Sequence, residues 1–103
     1  MSDQKKIVVH IDPDIEELIP RFLDGRHKDL GTIQELLNLK DFKKIRTIGH
    51  SLKGNGAGYG FDRLSEMGHT IEEAANKQDQ ESIEKCLVEI EDYLSRIDIV
   101  YDG

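Results

Sequence analysis

The chain has 103 residues, enough for one modest hydrophobic core and too few for two domains or for most self-contained ATP-using enzymes. Its 21 acidic side chains outnumber its 14 basic ones and give a formal net charge of -7, so nucleic acid and membrane surfaces are not expected partners. The single cysteine, Cys86, excludes an internal disulfide and fits a reducing, cytoplasmic setting.

Residues 1–11 are predicted to form an extended N-terminal segment. A polar start is followed by the short apolar run Ile7–Ile11, which alternates like a strand. This run is far too short for a signal sequence or a membrane span. No second strand-like run is apparent that could pair with it, so we expect the segment to lie extended across a helical body.

Helical patterns begin directly after this segment. Asp12 is a candidate N-cap, and Pro13 follows at the first helical position, where a missing N–H costs nothing. Apolar residues then recur at spacings of three and four up to about Leu39. Pro20 cannot donate a hydrogen bond to the carbonyl of Glu16, which predicts a short first helix and a longer second helix that begins near residue 20.

Three further helices are predicted, with Asp41, Asp62 and Asp79 as their N-caps. The last of them carries an apolar series at alternating spacings of four and three, namely Ile83, Leu87, Ile90, Leu94 and Ile97. The short connections force neighbouring helices to be antiparallel. We therefore predict an all-α fold, an up-and-down antiparallel four-helix bundle with a short extra N-terminal helix. The bundle spans residues 12–100, and 101–103 form a C-terminal tail.

The third predicted helix contains a histidine that points away from the core. At about 100° per residue, Ile48, Leu52 and Tyr59 lie on the opposite side of the helix from His50. The residues that share the side of His50 form a basic stripe with two small residues: Lys43, Arg46, Lys53, Gly54 and Ala57.

Glycines weaken the second half of this helix. Gly54, Gly56 and Gly58 together cost on the order of 1.5 to 3 kcal/mol relative to alanine. We expect close approach by another surface to offset this cost. That surface is either a partner protein or, at Gly56, a neighbouring helix.

An exposed neutral imidazole offers a free lone pair and is a competent nucleophile toward phosphorus. A phosphoryl group on His50 would gain its negative charge beside Lys53 and Arg46. The alternative is an ordinary solvated surface histidine, which is the more common case in small helical proteins. The open surface beside His50, with glycine one turn along the helix, favours the functional interpretation.

The segment His50-Ser51-Leu52-Lys53-Gly54 resembles the His-x-Leu-Lys-Gly signature of the histidine-containing phosphotransfer (HPt) domain, and the similarity extends over about residues 12–100. The resemblance implies a four-helix bundle whose exposed His50 accepts a phosphoryl group and shuttles it between aspartates of receiver domains. It also implies that Lys53 steadies the phosphoryl group and that Gly54 leaves room for the partner. Lys43, Arg46 and Ala57 are expected to contribute to partner docking.

The resemblance further implies a phosphohistidine carrier that is not itself an enzyme and has no cofactor or metal of its own, with Mg²⁺ supplied by the partner receiver domain. The expected partners are response-regulator receiver domains and a sensor or hybrid histidine kinase, and the carrier is expected to be a cytoplasmic monomer. The alternative is a non-phosphorylated helical interaction module that docks receiver domains or other partners by shape alone.

Two other patterns resemble functional motifs and are given structural interpretations. The glycines from Gly54 to Gly60 lack the spacing and the preceding strand of a nucleotide-binding loop. Glu66 and His69 have the spacing of a metal pair but face away from the apolar stripe of their helix, so both are predicted to be solvated.

Cys86 lies beside the apolar stripe of the last helix and is predicted to be a partly buried structural thiol.

Overall fold

The computed structural model describes residues 5–102, so the outer ends of the predicted extended segment and tail, residues 1–4 and 103, lie outside the described residues. Strand β1 is followed by a short 3₁₀ helix, four α-helices and a second strand. Their bounds are β1 Ile7–Ile11, the 3₁₀ helix Pro13–Leu18, α1 Ile19–Asn38, α2 Phe42–Tyr59, α3 Asp62–Asn76, α4 Gln80–Arg96 and β2 Ile97–Tyr101. The predicted short first helix and the break near Pro20 are confirmed.

Most of the predicted helix starts are confirmed by their capping hydrogen bonds. The side chains of Asp12, Asp41 and Asp79 accept backbone N–H groups of the following turn at 2.9, 3.2 and 3.1 Å. The prediction that Asp62 caps a helix is wrong, because Phe61 occupies the N-cap position and Asp62 is the first residue of α3. Its negative charge still favours the helix start, since the N-terminal end of a helix carries a partial positive charge.

The strand pair corrects the prediction that the N-terminal strand has no partner. β1 and β2 form a two-stranded parallel sheet in which Ile7 lies opposite Ile97 and Ile11 lies opposite Tyr101. Ile97 therefore belongs to a strand and not to the last helix. Its spacing from Leu94 fits a helix, but three of the five residues from Ile97 to Tyr101 are β-branched, a composition common in strands. The chain is mostly helical with a short strand pair, and the up-and-down order of the whole bundle stays a prediction.

The hydrophobic core lies between the four helices. Each helix contributes at least one isoleucine with no exposed surface: Ile33, Ile45, Ile71 and Ile83. Within residues 5–102 no polar or charged residue is buried, so every candidate functional side chain lies at or near the surface. None of the helices in that range is both long and apolar enough to span a membrane.

Cys86 of α4 is part of this core. Its side chain is buried, and its thiol donates a hydrogen bond to the carbonyl of Met67 at 3.4 Å. Burial, with a smaller contribution from the charge of Glu89, raises the pKa of the Cys86 thiol to about 12. The predicted structural thiol is confirmed, and it is more deeply buried than expected.

The backbones of helices α2 and α3 are in direct contact because the residues between them are glycines, which have no side chain to separate them. A Cβ atom placed on Gly49 would lie 2.7 Å from the backbone nitrogen of Glu72, and one on Gly68 would lie 2.5 Å from that of Lys53. Real Cβ atoms essentially never come so close to backbone atoms. The early part of α2 thus faces the late part of α3, and these two helices are antiparallel.

The glycines in the second half of α2 serve two different purposes. A Cβ on Gly56 would lie 2.7 Å from the backbone nitrogen of Ser65, which confirms the suggestion that Gly56 permits close packing of a neighbouring helix. Cβ atoms on Gly54 and Gly58 would meet nothing within 4 Å. Despite these glycines, α2 stays helical to Tyr59.

Candidate functional site

His50 lies near the middle of α2 and presents its imidazole to solvent. The side chain is 70% exposed, whereas Ile45 and Leu52 of the same helix are buried. The preceding residue, Gly49, packs directly against α3, so the backbone that carries His50 lies close to that helix. The imidazole is therefore both open to a partner and within reach of side chains on α3.

Glu72 of α3 holds the imidazole in place. One of its carboxylate oxygens, Oε2, lies 2.9 Å from Nδ1 of His50, and the other, Oε1, lies 3.3 Å from Nζ of Lys53. An ionised carboxylate can only accept hydrogen bonds, so Nδ1 of His50 carries the ring proton and donates a hydrogen bond to Glu72. In the neutral ring this leaves the lone pair on Nε2. The contact thus selects the nitrogen that is free to act as a nucleophile.

The charge state of Glu72 suits this role. Partial desolvation raises the pKa of the Glu72 carboxyl, but hydrogen bonds from His50 and Lys53, together with their charges, outweigh it and leave the pKa below its ordinary value. The carboxylate consequently stays ionised throughout the neutral range. The hydrogen bond from His50 to Glu72 weakens only in acid, as the pH falls through the lowered pKa of the Glu72 carboxyl.

The site residues predicted from the sequence do not include Glu72, and His69 is predicted there only to be solvated. His69 is indeed solvent-accessible, but its Nδ1 lies 4.0 Å from Oε1 of Glu72, so it borders the same cluster. The available signal was the pair Gly49 and Gly68. Small residues on two neighbouring helices indicate a close contact, which would have brought the residue after Gly49 next to α3.

An open cavity of about 290 Å³ borders the imidazole and is lined by Arg46, Thr47, His50 and Glu72. Lys43 does not reach it. Lys43 instead borders the adjacent depression, together with the other side of Arg46. The predicted basic stripe therefore has a carboxylate beside it, because Glu72 contacts both His50 and Lys53.

The small residues of the predicted stripe lie on the C-terminal side of the histidine. Gly54 and Ala57 are both exposed, and the space over Gly54 is empty. The surface next to His50 on this side is therefore low and unobstructed. Within residues 5–102 no group of three or more potential ligands is arranged to hold a metal ion.

The comparison with protein families bears directly on this arrangement. The family model of the Hpt domain matches residues 17–99, which include all four α-helices and leave out β1, most of the 3₁₀ helix and the last two residues of β2. The chain belongs to the Hpt domain family. Searches of curated proteins and of solved structures gave no match. The resemblance predicted from the sequence is thus confirmed over most of the chain.

Membership in the Hpt domain family implies a phosphotransfer role in two-component signalling. Hpt domains are phosphotransfer carriers of two-component signalling that interact with receiver domains and kinases, and they are not classical enzymes. The matched range contains His50 on α2 and Glu72 on α3. The cluster described above therefore lies within the part of the chain that defines the family.

Proposed function

We propose that this Hpt domain is a phosphorelay intermediate. It accepts a phosphoryl group on His50 from a phospho-aspartate receiver domain or a hybrid kinase and passes it to another receiver domain. The observation that carries the proposal is the hydrogen bond from Nδ1 of His50 to Glu72, which leaves Nε2 as an unprotonated nitrogen on an exposed ring.

The transfer step needs only one bond to form and one to break. The Nε2 lone pair attacks phosphorus, the P–O bond of the aspartyl phosphate breaks, and the receiver recovers its carboxylate. With phosphorus on Nε2 and the proton still on Nδ1, the ring becomes positively charged. Glu72 lies 2.9 Å from that proton and stabilises the charge, and the stabilisation disappears again when the phosphoryl group moves on.

The surrounding residues have supporting roles in the proposal. Lys53 is held close to His50 by the shared Glu72 carboxylate, and its ammonium group steadies the phosphoryl group. Gly54 leaves the surface low enough for the active site of a receiver domain to approach. Lys43, Arg46 and Ala57 contribute to the docking surface around His50. The receiver domain supplies the Mg²⁺ and the acidic pocket, which the exposed cations of α2 complement.

The proposal is tested by incubating the protein with a phosphorylated receiver domain. We expect an acid-labile, base-stable phosphate on the wild-type protein and none on the His50→Gln variant. His10→Gln is a matched control, because His10 is also exposed but lies on the strand pair. Labelling that survives in His50→Gln would overturn the proposal. If His50→Gln left partner function unchanged, the protein would instead be an interaction module that works by shape alone.

A further inference from the structure

We propose that Arg46 is a phosphoryl-binding residue, so that the group carried by His50 rests in the cavity on the N-terminal side of the histidine. This inference rests on the proposed phosphotransfer role of His50. It changes the role of Arg46 from one of several docking cations to a direct partner of the transferred group.

The first step of the argument is the direction of the His50 side chain. Side chains on an α-helix lean toward its N-terminus and cover the preceding turn. Arg46 and Thr47 precede His50 by four and three residues, and both line the cavity that borders its ring. Because Nδ1 points toward Glu72, Nε2 on the other side of the ring points away from that carboxylate. A phosphoryl group on Nε2 therefore has Arg46 within its surroundings.

The second step is the availability of positive charge. Lys53 shares its charge with the Glu72 carboxylate, which lies 3.3 Å from its Nζ, and it does not line the cavity, so the support that it gives the phosphoryl group is partial. Among residues 5–102, Arg46 forms no salt bridge and no side-chain hydrogen bond. The Thr47 hydroxyl donates to the carbonyl of Lys43 at 3.3 Å and is thus in use. Arg46 is the cation of the cavity that has donors to spare.

The third step is the chemistry of the two charged groups that meet there. The planar guanidinium of arginine can donate two parallel hydrogen bonds to one phosphoryl group, which a lysine ammonium cannot match. The nearby Glu72 carboxylate repels a phosphoryl group. Arg46 lines the same cavity and offsets this repulsion.

The test uses phosphoramidate as the donor, because a small molecule needs no docking surface. Nε2 of His50 attacks its phosphorus, the P–N bond of phosphoramidate breaks, and ammonia leaves with the bonding electrons. Wild type is compared with Arg46→Gln, Arg46→Lys and the control Lys44→Gln. Lys44 is an equally cationic, 73% exposed residue of α2 that does not line the cavity. Circular dichroism checks that all four proteins keep the same helicity.

Two measurements are made on each protein. We expect Arg46→Gln to slow phosphorylation of His50 by about two- to fivefold, the range for one partly exposed charge pair, and Arg46→Lys to restore part of the rate. The second measurement is a ³¹P NMR titration of phospho-His50. Removal of a nearby cation shifts the titration of the phosphoryl group to higher pH. We expect this shift in Arg46→Gln and not in Lys44→Gln.

Each outcome separates the two proposals. Equal rates and equal ³¹P titrations in Arg46→Gln and Lys44→Gln would overturn the role of Arg46 while leaving the phosphorelay function intact. An Arg46-dependent titration in a protein that accepts no phosphate from any phosphorylated receiver domain would overturn the relay function and leave the phosphoryl-binding role standing. A wild-type protein that takes no phosphate on His50 from either phosphoramidate or a phosphorylated receiver domain would overturn both.

Discussion

Two sets of glycines in helix α2 have opposite surroundings. Gly49 and Gly56 face α3 at distances that no side chain could occupy, whereas Gly54 and Gly58 face open space. The inward set brings two backbones together and thereby places His50 beside Glu72. The outward set leaves open space at two positions on the C-terminal side of His50. The same residue type thus builds the site on one side of the helix and keeps it accessible on the other.

The close contact between α2 and α3 can be broken most directly at Gly68, the glycine that α3 contributes to it. A Cβ there would lie 2.5 Å from the backbone nitrogen of Lys53, so Gly68→Ala forces the helices apart. We expect the free energy of unfolding to fall by about 1 to 3 kcal/mol, the usual cost of overpacking. Urea denaturation measures the change, and a stability equal to wild type would contradict the close contact.

The consequence of that contact for chemistry is tested at Glu72. Glu72→Ala removes the acceptor of the Nδ1 proton and frees the ring to change its orientation and tautomer. We expect transfer from a phosphorylated receiver domain to slow by about tenfold. Glu73→Ala, which removes a neighbouring exposed carboxylate, is the matched control. Equal rates for the two variants would show that Glu72 does not position the imidazole.

The same pair predicts a dependence on pH. Because the pKa of Glu72 is lowered in the folded protein, the stability that the pair contributes is present at neutral pH and is lost as the pH falls through that pKa in the acidic range. The NMR signals of the His50 ring should therefore report the titration of the Glu72 carboxyl as an inflection in the acidic range. Glu72→Gln should lack it, and an identical titration curve in that variant would contradict the assignment.

The outward set is tested by filling the empty space at Gly54. A Cβ at Gly54 would meet nothing within 4 Å, so Gly54→Leu directs a bulky side chain into open space one turn after His50. We expect transfer from a receiver domain to slow by about tenfold or less, while helicity by circular dichroism stays nearly the same. The rate with phosphoramidate should not change, because that donor is small. An unchanged rate with the receiver would mean that partners do not approach over Gly54.

The smallest expected effect is at Gly58. This residue is helical and exposed, and a Cβ there meets nothing within 4 Å. Gly58→Ala should stabilise the protein by about 0.5 to 1 kcal/mol through the helix propensity alone. Thermal unfolding followed by circular dichroism measures the gain. A loss of stability would indicate that this part of α2 is packed and not open.

The features that were predictable from the sequence depend on local rules. Proline and aspartate marked the helix starts at Asp12, Asp41 and Asp79 because a cap involves only the next turn. The outward direction of His50 followed from the helical period of α2 itself. Recognition of the family began with His50–Gly54 of that helix and drew on a similarity that extends over about residues 12–100.

The features that were missed depend on contacts between distant segments. The bond between His50 and Glu72 needs the register of α2 against α3, which Gly49 and Gly68 determine through backbone contact. The pairing of β1 with β2 joins residues 90 positions apart, for example Ile7 and Ile97. A short, mostly apolar segment such as Ile97–Tyr101 can continue the helical spacing or form a strand, and its local pattern alone does not distinguish the two.

The burial of Cys86 has a practical consequence. A thiol reacts with oxidants and alkylating reagents as the thiolate, and with a pKa of about 12 only on the order of one molecule in 100,000 carries that form at pH 7. The native protein therefore resists thiol chemistry as long as α3 and α4 stay together over this side chain. The rate at which a thiol reagent labels Cys86 then reports how often the bundle opens, in the unmodified sequence and without an added probe.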